Sequence, residues 1–118
     1  MKIQNLVQKF RQAAIEKGEF AEPASKDHKL FDLMAGSWRE LFALGEEGQE
    51  AFKELLSDDS RFVRCWVAGQ LLGLGDTSGV EVLEVDAAQG DIQAFNSEMT
   101  LGEWRKGRLS PPFLREKE

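Results

Sequence analysis

The sequence is poor in the residues on which metal sites, redox sites and disulfide-stabilised folds depend. Its 118 residues include one cysteine and one histidine. A single cysteine excludes an internal disulfide framework, and this cysteine and histidine do not supply the four ligands of a usual zinc site. No apolar run approaches the roughly 18 residues of a membrane-spanning helix, and the first residues lack the apolar block of a signal peptide. We therefore expect a cytoplasmic protein without metal, cofactor or membrane contact.

The charged residues are unevenly distributed along the chain. Residues 31–98 hold fourteen acidic and four basic side chains, a net charge of −10, whereas the segments before and after each carry +2. This acidic centre disfavours a nucleic-acid partner, because phosphate groups are bound by basic surfaces. It favours a cationic protein partner, although net negative charge also serves solubility alone.

Apolar residues recur at helical spacing, which predicts an all-α fold of about six helices. One segment has a rival interpretation: residues 79–85, GVEVLEV, alternate as a half-buried strand would. An isolated strand has no pairing partner, so a helix is preferred there. The last helix is expected to bury Phe95, Met99 and Trp104. Residues 1–107 then form one domain, and residues 108–118 form a Pro-containing tail, expected to be loosely held unless it docks through Phe113 and Leu114.

Two consecutive segments resemble each other. Residues 48–72 realign on residues 79–104 at a shift of 31–32 positions, with a short helix, an acidic turn and a longer helix in each. The shift makes the following residues equivalent: Phe52 and Leu83, Ser60 and Asp91, Val63 and either Ala94 or Phe95, and Val67 and Met99. A repeat of this length in a helical chain indicates stacked helical pairs, each burying a face against the next.

No catalytic site is expected. Cys65 has no histidine near it in sequence, so a structural role is preferred over a reactive thiolate. His28 stands at the start of a predicted helix and is expected to be solvated. The numerous carboxylates lie on polar helix faces rather than in an evident cleft. Trp38, Trp66 and Trp104 fall on apolar stripes, and core packing is preferred over a role as exposed anchors for a partner.

The stretch from Asp58 to Leu72, DDSRFVRCWVAGQLL, resembles the signature of HEAT-type repeats. Residues 79–109 resemble the end of a small bacterial HEAT-like family of unknown function that closes with A-x-M-T-L-x-x-W, with Ser97 here in place of the alanine. The resemblance implies a short right-handed α-α superhelix. It also implies that Asp59, or Asp58, pairs with Arg64 between neighbouring units.

Small solenoids of this type recur as immunity proteins, encoded beside antibacterial toxins. The resemblance therefore implies a non-enzymatic protein, with a monomer favoured, that binds and neutralises a cognate basic toxin. The alternative is a general HEAT-like adaptor in a cytoplasmic protein complex. Acidic residues on the short helices are the candidate partner-binding residues: Glu47, Glu50 and Glu54 on one helix, and Glu81 and Glu84 on its repeat counterpart.

Overall fold

The computed structural model describes residues 2–19 and 24–114, and their regular structure is helical. The α-helices are α1 (Lys2–Glu19), α2 (Ala24–Ala43), α3 (Glu46–Glu54), α4 (Arg61–Gly73), α5 (Val80–Ala87) and α6 (Ile92–Arg105). Short 3₁₀ turns span Leu55–Ser57, Thr77–Gly79 and Pro112–Leu114. The predicted all-α class is confirmed, and the segment with the strand-like alternation is a helix.

Side-chain caps fix where the later helices begin. Ser60 accepts a hydrogen bond from the amide of Val63, and Asp91 accepts one of 2.9 Å from the amide of Ala94. Each cap satisfies one of the amides that a helix leaves without an intrahelical acceptor. The helices end just as sharply, since a glycine in the left-handed conformation follows α2, α4, α5 and α6.

The larger hydrophobic core surrounds Phe113 at the end of the described chain. Its ring is fully buried among Phe10, Phe31 and Trp66, with centroid distances of 5.5, 5.6 and 5.7 Å. Trp38 is buried in the same core, with its ring 6.5 Å from that of Phe113. Residues of α1, α2 and α4 thus meet around a side chain that comes from beyond α6.

The backbone of Phe113 is held as firmly as its ring. Its amide donates to the buried Oε1 of Gln70 at 2.9 Å, and its carbonyl accepts from the Arg39 guanidinium at 3.0 Å. Leu114 beside it is half exposed. The expectation of a loosely held tail is therefore wrong up to Leu114, because the docking alternative holds through Phe113; residues 115–118 lie outside the described residues.

A second, smaller core lies between α4, α5 and α6. It consists of Cys65, Ala68, Leu72, Leu83 and Leu101, with Trp104 packed against it. The helix α4 contributes to both cores, so it is the element that joins the two halves of the molecule. Its Trp66 packs against the larger core from a partly exposed position.

The orientation of α6 differs from the sequence prediction. Its buried side chains are Ala94, Ser97 and Leu101, whereas Phe95 and Met99 point to solvent. The prediction of Phe95 and Met99 as core residues is wrong because the side of α6 that packs on the rest of the chain is the one that carries Ala94, Ser97 and Leu101. The prediction used hydrophobicity alone, which favours burial of large apolar side chains such as Phe95 and Met99.

Two glycines mark the contact between successive helical pairs. A Cβ added at Gly48 would lie 1.9 Å from the carbonyl oxygen of Leu41 in α2, and one at Gly79 would lie 2.7 Å from the backbone of Ala68 in α4. Gly48 and Gly79 are 31 positions apart and pack in the same way on the preceding helix.

The structure supports a single shift of 31 residues for the repeat. Phe52 and Leu83 are both buried, and Val63 aligns with the buried Ala94 rather than with Phe95. At this shift Met99 is equivalent to Ala68, so the predicted match of Val67 with Met99 does not hold. Equivalent residues of the two segments therefore occupy similar places in the packing, although their side chains differ in size.

We expect Gly79→Ala to lower the free energy of unfolding by about 1–3 kcal/mol, because the new methyl group would meet the Ala68 backbone and force α4 and the Thr77–Gly79 turn apart. The matched control is Gly36→Ala in α2, where a Cβ meets no atom within 4 Å. That change should stabilise by about 0.5–1 kcal/mol, since alanine favours the helix. Urea unfolding measures both, and equal effects would contradict the close approach at Gly79.

We expect Phe113→Ala to destabilise the protein by about 3–5 kcal/mol, because it removes a fully buried ring from the centre of the larger core. Leu114→Ala, at the half-exposed neighbouring position, should cost about 1 kcal/mol or less. Thermal or urea unfolding followed by circular dichroism gives both values. A small effect of Phe113→Ala would mean that the terminal segment does not close the core.

Candidate partner-binding surface

The acidic stripe of α3 consists of Glu47, Glu50 and Glu54. Their spacing of i, i+3 and i+7 puts them on one side of the helix, and all are exposed, whereas Gly48 and Phe52 on the opposite side are buried. Among the described residues, none of the three carboxylates forms an ion pair within 4.0 Å. The stripe therefore presents uncompensated negative charge to solvent.

An apolar groove adjoins this stripe. It lies between α2, α3 and the end of α4, has a volume of about 420 Å³, and is floored by Trp38, Phe42, Phe52, Leu71 and Leu74. Its rim carries Glu46, Gln49, Glu50, Lys53 and Asp76. Phe42 is 45 % exposed and Leu74 is 40 % exposed. The groove thus combines two accessible apolar side chains, Phe42 and Leu74, with a mainly acidic rim.

The single lysine of α3 is engaged at the end of this groove. Lys53 Nζ lies 3.1 Å from Asp76 Oδ2, and the amide of Ser78 donates to the same carboxyl group at 2.9 Å. The hydrogen bonds from Ser78, followed by the contact with Lys53, hold the pKa of Asp76 below its ordinary value. Lys53 therefore offsets Asp76 rather than the acidic stripe.

The two glutamates predicted on α5 have different surroundings. Glu81 and Glu84 are exposed, but Glu81 borders the groove between α4 and α5 that Arg61 and Arg64 also line. A carboxylate oxygen of Glu84 lies 3.9 Å from the Arg105 guanidinium. Within the described residues, Glu84 is thus the one of the five candidates with a cationic group within 4.0 Å, and Glu81 shares its groove with two arginines.

Negative charge continues from the stripe into the turn before α4. Glu54 lines a wide groove between α1 and α3 together with Asp58 and Asp59. The carboxylate of Asp58 accepts a hydrogen bond of 2.6 Å from Arg11, which raises the pKa of that guanidinium, whereas Asp59 is exposed. Glu54 and Asp59 thus extend the acidic surface past the end of α3.

The arginine contact implied by the HEAT resemblance takes another form. Arg64 donates to the backbone carbonyl oxygens of Asp58 and Asp59, at 2.7 and 3.0 Å, rather than to a carboxylate of a neighbouring unit. Arg64 therefore stabilises the turn that precedes its own helix, α4. The carboxylate partners across units belong to Arg61, which is not among the predicted site residues.

Arg61 forms a polar bridge between α4, α5 and α6. Its Nε donates to Asp86 at 2.8 Å, and its two terminal nitrogens donate to Asp91 at 2.6 and 3.0 Å. The buried Ser97 hydroxyl donates to the other oxygen of Asp86 at 2.6 Å and lies 3.5 Å from the Cys65 sulfur. The sequence signal for this bridge is Asp86 itself, an acid three positions after the buried Leu83 on the inner side of a short helix.

The pKa values follow from these contacts. Burial acts to raise the pKa of Asp86, but hydrogen bonds from Arg61 and Ser97 outweigh it and leave the value below the ordinary 3.8. Hydrogen bonds from Arg61 and from the amide of Ala94 lower the pKa of Asp91 to about 2. Burial raises the pKa of the Cys65 thiol, which keeps it neutral. The bridge is therefore a fixed ion pair beside an unreactive thiol.

The remaining sequence candidates lie apart from this bridge. His28 is exposed on α2. Across residues 2–19 and 24–114, no three His, Cys, Asp or Glu side chains are grouped so that they could hold a metal ion. None of the described helices combines the length and the apolar character needed to cross a bilayer.

No protein-family model, no curated protein and no solved structure matches the chain. Its function is therefore inferred from the acidic stripe, the adjoining groove and their surroundings.

We expect Arg61→Gln to destabilise the protein at neutral pH and this loss to shrink as the pH falls from about 4 to about 2. Asp86 and Asp91 have depressed pKa values when folded, so their contribution is present above the ordinary 3.8 and is lost as the pH falls through the folded values. Urea unfolding at each pH measures the difference from the unmodified protein.

The matched control for this prediction is Arg64→Gln, because Arg64 donates only to backbone carbonyls that do not titrate. Its cost should stay constant over the same pH range. If the cost of Arg61→Gln is equally constant, Arg61 does not set the charge state of these carboxylates.

Proposed function

We propose that the protein is a non-enzymatic binding domain that captures a basic protein partner on the acidic stripe of α3 and in the adjoining apolar groove. The observation that carries the proposal is that the acidic stripe and the apolar groove adjoin each other. Glu50 belongs to both, so charge and accessible aromatic surface meet at one side chain. The glutamates of α5 are left out of the proposed contact, because Glu84 lies within 4.0 Å of Arg105 and Glu81 shares its groove with Arg61 and Arg64.

The two parts of this surface have different roles in binding. The uncompensated carboxylates speed the encounter with a cationic partner, and this effect weakens as salt screens it. The groove supplies affinity, because an apolar side chain seated against Phe42 and Leu74 loses its contact with water. The expected partner segment therefore carries lysine or arginine around an apolar anchor residue.

The particular form of the proposal is an immunity protein that neutralises a basic toxin in the cytoplasm. A small acidic domain that covers the surface of a basic toxin needs no chemistry of its own. The buried, free Cys65 is compatible with a reducing compartment. The sequence resemblance described above favours the same role.

An adaptor in a larger complex is the second candidate function. Exposed apolar residues outside the acidic stripe favour it, Leu33 and Leu44 among them, since apolar contacts hold assemblies together at high salt. The salt dependence of partner binding separates the two functions. Binding to a single basic protein that weakens steeply with salt supports neutralisation, and a salt-insensitive assembly supports the adaptor.

We expect the triple variant Glu47→Lys, Glu50→Lys and Glu54→Lys to lose the partner that the unmodified protein retains in a pull-down from its native cells. The control carries the same change in net charge at exposed or half-exposed glutamates elsewhere: Glu16→Lys, Glu40→Lys and Glu98→Lys. The control should bind with at most a few-fold loss, because long-range attraction is a small part of affinity at physiological salt.

The same variants test neutralisation in cells. The captured partner is expressed alone and together with each variant, and growth is the readout. We expect toxicity that the unmodified protein and the control relieve and the α3 variant does not. Equal binding by both triple variants would place the contact elsewhere, and a captured partner without toxicity would reject the immunity role.

A further inference from the structure

A cavity of about 290 Å³ lies between α4 and α6, and the segment that follows α6 borders it. Its apolar walls come from four parts of the chain: Phe31 of α2, Trp66 of α4, Leu83 of α5, and Leu109 and Pro112 of the terminal segment. The residues that line it include none from α3, so this cavity is distinct from the acidic stripe and its adjoining groove.

The polar side of the cavity belongs to α6. Gln93, Asn96, Ser97 and Thr100 line it, and their spacing of i, i+3, i+4 and i+7 puts them on one side of the helix. The Ser97 hydroxyl donates to Asp86 at 2.6 Å, and the Thr100 hydroxyl donates to the Asn96 carbonyl at 3.1 Å. Both hydroxyl protons are therefore used within the chain, which leaves the side-chain amides of Gln93 and Asn96 to bind a ligand.

These two amides have hydrogen-bonding capacity to spare. Asn96 is exposed, so its amide lies at the mouth of the cavity. Gln93 is partly exposed, and its amide contacts the Cys65 thiol, which is a weak hydrogen-bonding partner. Each amide offers both an N–H donor and a carbonyl acceptor. The pair therefore suits a ligand edge that also carries a donor beside an acceptor.

Gly69 keeps part of this cavity open. It is buried in the interior of α4, and a Cβ added there would meet a single atom outside its own helix backbone within 4 Å, the Thr100 methyl carbon at 3.9 Å. Its backbone φ is not positive. Neither backbone conformation nor a close contact requires this glycine, in contrast to Gly48 and Gly79. Alanine stabilises a helix interior better than glycine does, so what Gly69 provides is empty space facing Thr100.

The cavity is formed before any ligand arrives. Pro112 in its wall precedes Phe113, whose amide and carbonyl are held by Gln70 and Arg39. In the polar wall, Ser97 is fixed by its hydrogen bond to Asp86. Walls that are already ordered lose little conformational entropy when a ligand binds.

The lining also determines the charge and the size of the ligand. No residue of the described chain that lines the cavity is charged, so a charged ligand would lose its hydration without an opposite charge in return. An apolar cavity of roughly 150 Å³ holds one benzene molecule. A volume of about 290 Å³ is therefore sufficient for two fused rings.

We propose that this cavity binds a small neutral molecule of two fused rings with a cyclic amide edge. The amide edge lies against Gln93 and Asn96, and the rings occupy the space beside Trp66 and Gly69. This site goes beyond the proposed function and does not depend on it. A bound small molecule also departs from the sequence expectation of no cofactor.

Calorimetric titration and ¹H–¹⁵N NMR spectra of the full chain test the proposal with three neutral bicyclic lactams: quinolin-2-one, isoquinolin-1-one and quinazolin-4-one. We expect at least one to bind with a Kd below about 1 mM. Its binding should shift the side-chain amide signals of Gln93 and Asn96 and leave that of Gln49, in the other groove, unchanged. The N-methyl derivative of that lactam lacks the N–H donor and should bind about tenfold more weakly.

Gly69→Ala is the decisive variant. Its methyl group fills the open space, so it should weaken binding about tenfold or more. The midpoint of thermal unfolding should stay the same or rise, because a contact at 3.9 Å is an ordinary one and alanine favours the helix. The matched control is Gly102→Ala in α6, where a Cβ meets no atom within 4 Å and the residue does not line the cavity. The control should leave binding unchanged.

Three results would overturn the proposal. The first is the absence of binding by all three lactams up to about 2 mM. The second is equal binding by Gly69→Ala and the unmodified protein, or a lower unfolding midpoint of Gly69→Ala, which would mean that the space beside it is not open to a ligand. The third is binding that neither Gln93→Leu nor Asn96→Leu weakens, because the amide edge would then have no partner on α6.

Discussion

The rest of the structure depends on the packing of each helical pair against the next. A pair of packed helices has apolar surface on more than one side, and each pair in this chain buries that surface against a neighbouring pair. The helix α4 shows the consequence most fully, because it is buried against both cores. The contacts that make this possible are backbone contacts. Gly48 and Gly79 let the first helix of each unit approach the last helix of the unit before it. A side chain at Gly48 would widen the contact beside the larger core, and one at Gly79 would widen the contact beside the smaller core.

The polar bridge formed by Arg61 restricts the relative orientation of the stacked helices. Apolar contacts allow helices to slide and rotate against each other, but Arg61 must reach Asp86 and Asp91 at once. Burying the Asp86 carboxylate costs solvation free energy, and the hydrogen bonds from Arg61 Nε and from the Ser97 hydroxyl offset much of that cost. We interpret the bridge as a device that fixes how α5 and α6 sit on α4.

The sequence predicted the features that depend on local chemistry: the helices and the exposure of the acidic residues of α3. It failed where the outcome depends on packing partners far away in the chain. Phe113 lies in the larger core because a gap between α1, α2 and α4 accepts it, and nothing near Phe113 in sequence encodes that gap. Phe95 was misassigned for the converse reason, since helical periodicity identifies an apolar side of α6 but not whether this chain covers it. The groove beside Glu50 was equally beyond prediction, because it is built from three helices.

The first and the last helix of the stack differ in the kind of surface that they expose to solvent. The first helix turns a polar side to water, and the chain end returns as Phe113 to fill the core beside it. The last helix exposes Ile92, Phe95 and Met99 on its outer side. The acidic stripe is separated from this side of α6, because α4 packs between α3 and α6, whereas its Glu54 borders α1. The acidic stripe and the exposed apolar side of α6 are therefore separate surfaces of the molecule.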